Sequence, residues 1–324
     1  MSEQEFKKDN LVNDEKVTSD NQLNGESILP PEEERLDIER LSKSQKIQKV
    51  LVNIVVYAIL VIVAIVIIFP FYWMINSSLK DLAEYKRSLP TFWPEVVHFE
   101  NYVRAFEQAE LGKLFLNTVF VGVVSTLLSL VITILSAFDF ARLEFKGRDM
   151  MFGFLLMTMM IPGELFTITN YETVYVHFKW GNTFTALIVP FLVSTFYIYL
   201  LRQNFKQVPN ELYLAAKVDG TSDLKYLIKV MIPLALPTII SITILKMMGS
   251  WNSYIWPRLI ANDETHQLIT NGLRGAAFNV EGGQEIDYPV QMAAVAIVSF
   301  PLFIVFLCFR KYIMRGVSRS GIKG

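Results

Sequence analysis

The chain has a single cysteine, three histidines and a net charge of -1 across 324 residues. With Cys308 alone there is no intramolecular disulfide and no cysteine metal site. His98, His177 and His266 are scattered over connections between apolar segments, without the spacing that gathers metal ligands. No G-x-x-x-x-G-K-[ST] phosphate loop occurs, and no serine stands in a G-x-S-x-G setting. A charge this close to zero gives no argument for a nucleic-acid partner. These absences remove the common hydrolytic signatures, so the chain is expected not to be an enzyme and to hold no cofactor of its own.

Apolar residues are what the chain has in quantity: 52% are hydrophobic and the mean hydropathy is +0.36, too apolar for a soluble protein of this length. Residues 51–74, 114–138, 184–201 and 292–309 are uncharged runs long enough to cross a bilayer. Residues 150–168 and 230–255 make two further spans, the first carrying Pro162 and Glu164 and the second Lys246. The expected architecture is therefore all-α and integral to the membrane, with six transmembrane helices across residues 51–324. A lysine at depth costs roughly 2.5–3.5 kcal/mol, so it requires water or a partner. Thr243, Lys246, Ser250 and Ser253 fall on one side of a helix and, with Glu164, are the candidate pore-lining residues; Lys246 either pairs with Glu164 or meets an acidic group of a cargo.

Orientation follows from basic residues in the short connections. Arg40, Lys43, Lys46 and Lys49 precede the first span, Arg142, Lys146 and Arg148 follow the second, and Arg310, Lys311, Arg315, Arg319 and Lys323 follow the last. Both termini and the connection 202–229 are thus expected on the cytoplasmic side. The first external connection carries Lys80, Lys86, Arg87, Arg104 and Lys113, mixed with Asp81, Glu84, Glu95 and Glu100. Phe71, Tyr72 and Trp73 at one span end, and Trp251 and Trp256 at another, suit a membrane–water interface. Residues 1–50 form a separate cytoplasmic extension, acidic and poor in aromatics, expected to be mostly disordered. It lacks the positive start and the cleavage site of a secretory signal.

Residues 209–237 are the most informative stretch, a polar, helix-forming island between two apolar runs. Pro209 can open a helix, Asp219-Gly220 can end it with a left-handed residue, and Thr221 or Ser222 can cap a second short helix. Leu212, Ala215, Ala216 and Asp219 share one face of the first helix, where small side chains permit close approach by another surface. This island resembles the cytoplasmic coupling loop, or EAA loop, of the membrane subunits of binding-protein-dependent ABC importers. Ala215, Ala216, Asp219, Gly220, Pro233 and Pro237 match at that loop's spacing. Leu214 stands where the family has a glutamate, and Glu211 is the acidic residue one turn earlier.

The resemblance runs from about residue 51 onward and is closest to the maltose-type, six-span carbohydrate permeases. It is carried by Met160-Ile161-Pro162-Gly163-Glu164, by Asn182-Thr183, by Ala186 to Pro190, by Trp251-Asn252 through Trp256-Pro257, and by the ending Gly316 to Gly324. It implies a permease forming half of a pore for a sugar or oligosaccharide, in the bacterial cytoplasmic membrane. The implied partners are a second homologous permease, two ATPase subunits that bind ATP and Mg, an extracellular solute-binding protein and membrane lipid. It also implies that Glu211, Ala215, Ala216, Asp219 and Gly220 couple to the ATPase. The connection 252–291, with Gly272, Gly275, Gly282 and Gly283, and the tail 319–324 would by resemblance reach the binding protein and the ATPase interface; a flexible connector and a frayed basic end are the plainer readings. A glycerophosphate or acidic oligosaccharide cargo is the alternative within this class, and an ATP-independent secondary transporter the alternative outside it.

Overall fold

A computed structural model describes residues 32–280 and 285–318. The first part of the acidic extension, Gly282 and Gly283, and the tail 319–324 lie outside the described residues. The chain divides at Pro70 into two compact units.

The first unit is dominated by α1, Glu32–Ser78, which continues just past the division. Helix therefore starts well inside the segment 1–50 that composition marks as disordered. The local reason is visible in residues 32–50, where Glu, Leu, Arg, Lys and Gln, all good helix formers, follow one another without Gly or Pro.

In the second unit, the end of α1 leads to a short turn of helix, α2 (Leu82–Tyr85), then α3 (Glu100–Gln108) and the long α4 (Leu111–Arg142). The inward side of α4 is built from small and hydroxyl residues, Thr118, Gly122, Ser125, Ser129 and Thr133, while Leu127, Leu128 and Val131 point outward. Small side chains let helices approach closely where lipid supplies no hydrophobic drive for association. Gly122 illustrates this, since a Cβ there would sit 3.5 Å from the Met247 thioether. Thr118 and Ser125 donate their hydroxyls to the carbonyls of Leu114 and Gly122 in their own helix, which leaves no unpaired donor at these positions.

Two of the six expected spans are broken. α5 (Arg148–Thr158) is followed by a 3₁₀ turn at Gly163–Phe166, α6 (Thr167–Tyr171) and a π-helical turn at Glu172–His177, with an 83° bend at the break. Pro162 accounts for it: it cannot donate to a helical ladder and pushes Ile161 out of the helical region. Likewise α7 (Phe184–Ile188), with a 3₁₀ turn at Val189–Phe191 containing Pro190, meets α8 (Thr195–Lys206) at 46°. Among the described residues, four helices, Gln48–Ser78, Leu111–Arg142, Asp223–Trp251 and Tyr288–Lys311, are long and apolar enough to cross a membrane, and the number is six when each bent pair is counted as one span.

After α8 come α9 (Asn210–Val218), α10 (Asp223–Tyr226), a π-helical turn at Leu227–Met231 and α11 (Ile232–Trp251). The wide turn lies just before Pro233, whose missing N–H disturbs the ladder there. In the connection, residues 252–280 are folded, with α12 (Ile255–Ile260) and α13 (Ile269–Gly275), and α14 (Tyr288–Ser318) follows. α4 packs against α8 and α11, and α11 against α14. Trp251 and Trp256 are buried, the latter donating its indole N–H to Ala186 O at 2.9 Å. Their expected place at a membrane interface is thus corrected: the folded connection covers them.

Candidate functional site

The island between α8 and α11 forms a two-helix clip. Pro209 is the cap residue of α9, and Asp219 and Gly220 end it, with Gly220 at φ +70°. Gly220 N–H donates to Lys217 O at 3.0 Å and Thr221 N–H to Ala216 O at 2.8 Å, the paired bonds of a Schellman stop. Ser222 starts α10 by accepting from Lys225 N–H. The hydroxyl of Tyr213 donates to Asp223 Oδ1 at 2.7 Å, and the Lys217 ammonium meets the same oxygen at 2.6 Å while lying 5.3 Å from the Tyr213 ring. That carboxylate holds the Lys217 amine above its ordinary pKa. The bend between the helices is therefore clamped from both sides.

The clip is also tied to the bundle. Tyr213 meets Tyr226 edge-to-face at 5.2 Å, and Tyr226 meets Phe138 of α4 at 6.4 Å. Arg142, at the end of α4, donates to Phe205 O at 2.7 Å, to Val208 O, and to Asn210 Oδ1 at 3.3 Å. Arg202 donates to Phe140 O at 3.0 Å and lies 3.8 Å from the Phe152 ring. The two alanines of the clip do not share a face. Ala216 turns inward with Tyr213 against the core around Leu201, Phe205 and Tyr226, while Ala215 is exposed. The outward stripe is Glu211, Leu214, Ala215 and Val218, the last 88% exposed, with Leu212 and Asp219 exposed beside it.

Within the spans a cavity of about 770 Å³ is lined by Ser125 of α4, Glu164, Asn170, Tyr197, Lys246 and Ser250, among others. Of the candidate pore residues, Glu164, Lys246, Ser250 and Ser253 meet here. Thr243 does not line it and donates its hydroxyl back to Ile239 O at 2.8 Å. Lys246 and Glu164 form no ion pair with each other. Lys246 Nζ donates to Phe191 O at 2.7 Å, at the break between α7 and α8, where a carbonyl loses its helical partner. The breaks open this space: the 83° bend brings Glu164 and Asn170 to it, and the second bend places Tyr197 there.

Residues 129–319, more than half of the chain, match the family described as "Binding-protein-dependent transport system inner membrane component". The chain belongs to that family. Among curated relatives, a trehalose/maltose transport system permease of Thermococcus litoralis is 30% identical, covering 86% of this chain and 99% of the relative. A diacetylchitobiose uptake permease of Streptomyces coelicolor is 29% identical over 82% of this chain and 87% of its own. In fold, the chain superposes on a chain from a bacterial ABC transporter that imports the acidic polysaccharide alginate, with a TM-score of 0.74 and 23% identity, covering 82% of this chain and 97% of the other.

This permease is thus a multi-pass, all-α membrane protein of a transport system. Sequence reading found the clip and four cavity residues but missed others. Ser125, Asn170 and Tyr197 carry no local signature; they reach the cavity only because two spans bend. Tyr213, Tyr226 and Arg142 were likewise missed, although an arginine ending a span and two tyrosines flanking a helix stop were legible as residue types.

Proposed function

We propose that this permease forms half of the translocation pore of an ATP-driven importer for a sugar or oligosaccharide, and that residues 209–237 couple it to a separate ATPase. The proposed complex contains a second homologous permease, two ATPase copies that bind ATP and Mg, and an extracellular solute-binding protein. Both termini and the clip lie on the cytoplasmic side in this reading. The carbohydrate assignment draws on relatives named for trehalose/maltose and diacetylchitobiose uptake.

The observation that carries the coupling role is a clamped clip whose outer stripe exposes Leu214, Ala215 and Val218 beside Glu211 while its inner face is seated on α4. Alternating access requires that closure of the ATPase be delivered as a displacement of whole helices. A loose loop would absorb that displacement. Here Glu211, Ala215, Asp219 and Gly220 form the outer side and the stop of the lever, and Ala216 seats it on the bundle. Displacement of α9 passes through Tyr213 and Tyr226 to Phe138, and through Arg142 to the end of α4. α4 in turn lines the cavity.

The test is purification of the chain from its own membranes in mild detergent, with mass spectrometry of what remains bound, paired with Gly220→Pro. Proline cannot adopt φ +70° and removes the bond from Gly220 N–H to Lys217 O. The expected result is recovery of a permease, an ATPase and a binding protein, and loss of ATP-driven uptake in the variant at normal membrane abundance. Uptake in liposomes without ATP would instead leave a secondary transporter. A second cargo reading, an acidic saccharide or glycerophosphate, is favoured by one feature: Lys246 reaches the cavity with no carboxylate within ion-pair distance among the described residues.

A further inference from the structure

The segment between α1 and α3 buries two charges beneath a set of exposed apolar side chains. The two buried charged side chains are Lys80, at 2% exposed, and Glu84, at 5%, while Asp81, Lys86, Arg87 and Glu95 are exposed. Lys80 Nζ donates to Thr91 O and lies 5.2 Å from the Trp73 ring. The Glu84 carboxylate accepts from the Thr91 hydroxyl and from Glu95 N–H at 3.2 Å. Asn101 closes the base by donating to the carbonyls of Ser78 and Lys80 at 3.0 and 2.8 Å, and His98 N–H donates to Leu79 O at 2.9 Å. Facing away from this polar interior are Leu89 (85% exposed), Phe92, Trp93 (75%), Val96 and Phe99.

A segment of this kind in water would turn its apolar residues in and its charges out. The level at which it sits explains the exposed apolar set. Phe92 meets Trp73 at 6.1 Å and Trp93 meets Tyr72 at 5.9 Å, both edge-to-face, and the Tyr72 hydroxyl donates to Phe92 O. At 1.5 Å per residue, Tyr72 and Trp73 lie about 7–9 Å below the end of the span at Ser78. The segment therefore folds back along the span to the depth of that span's own aromatic residues, where Trp, Tyr and Phe favour the boundary between headgroups and chains. The exposed Arg87–Glu95 pair provides a charged edge.

We propose that residues 89–99 form a lipid-docking surface that lies in the bilayer interface at this end of the first span, with Leu89, Phe92, Trp93 and Val96 immersed among the acyl chains nearest the headgroups. The buried network around Thr91 acts as a rigid frame that holds these side chains outward, and the occupant of the surface is phospholipid. This role is independent of the cargo and of the ATPase.

The test uses the full chain in a Cys308→Ser background, with nitroxide labels introduced singly through Leu89→Cys, Trp93→Cys and, as a water-exposed reference, Val218→Cys. Each is placed in nanodiscs of phosphatidylcholine and phosphatidylglycerol, and collision with oxygen is compared with collision with a water-soluble nickel chelate. Labels at 89 and 93 should favour oxygen severalfold over the chelate, while 218 favours the chelate. Because Trp93→Cys removes a ring contact, Leu89→Cys keeps the question answerable if the former misfolds. Free access of the chelate at 89 would show a surface facing water, and exclusion of both reagents would show a protein partner there; either result overturns the proposal.

Discussion

Replacing Tyr213 with alanine separates a rigid lever from a merely helical loop. The change removes the edge-to-face contact with Tyr226 at 5.2 Å, the hydroxyl bond to Asp223 at 2.7 Å and the ring beside Lys217. An aromatic pair contributes about 0.5–1.5 kcal/mol beyond burial, and a hydrogen bond to a charged acceptor about 1.5–3 kcal/mol. Tyr213 is half-buried, and the Lys217–Asp223 pair is about 40% exposed, so screening by solvent brings the sum to about 2 kcal/mol. That lowers the ratio of ordered to disordered clip about thirtyfold. Tyr213→Phe keeps both ring contacts and loses only the hydroxyl, about 1 kcal/mol or about fivefold. In proteoliposomes holding the complete importer, uptake and ATP hydrolysis are measured together. Uptake per ATP should fall steeply in the alanine variant and stay near wild type in the phenylalanine variant. Wild-type uptake per ATP in Tyr213→Ala, at equal membrane abundance, would refute the relay from α9 to α4.

Other outcomes follow from the same geometry. Val218→Asp touches nothing inside the fold, so stability should change by less than about 0.5 kcal/mol while ATPase retention on the purified permease falls about tenfold, read by pull-down. Lys246→Met should leave abundance intact and reduce uptake; unchanged uptake removes Lys246 from the cargo path. The Glu100 carboxylate at 2.6 Å raises the His98 pKa above 6.5, and His98 lowers that of Glu100 below 4.5. The raised histidine stabilises below 6.5 and loses its contribution as pH climbs through its folded value, and the depressed glutamate does so above 4.5 and loses it on acidification. Their bond should therefore be intact between about pH 4.5 and 6.5. Imidazole titration by NMR should show the His98 midpoint moving down in Glu100→Gln.

The sequence alone determined that the protein is an all-α membrane protein, and where α9 begins and stops. Those features rest on local quantities: the length of an apolar run, a glycine after a helix, a serine before one. Gly220 and Ser222 act where their residue types demand. What it left to tertiary structure is equally specific. Pro162 announced a disturbance of helix but not an 83° bend, since the direction of a break depends on what the two halves pack against. Trp251 and Trp256 read as interface residues because a tryptophan beside a span end looks the same whether lipid or a folded connection covers it. Ala216 turned inward although its neighbour Ala215 stayed out, because the helix rotates about 100° per residue and only the seat of Tyr213 on Tyr226 fixes its roll. The assembly of the cavity belongs to this second category: Glu164, Lys246, Ser250 and Ser253 were legible one by one, but their meeting was not. Its polar groups come from α4, both broken spans and α11, and no single segment carries the pattern that their meeting creates.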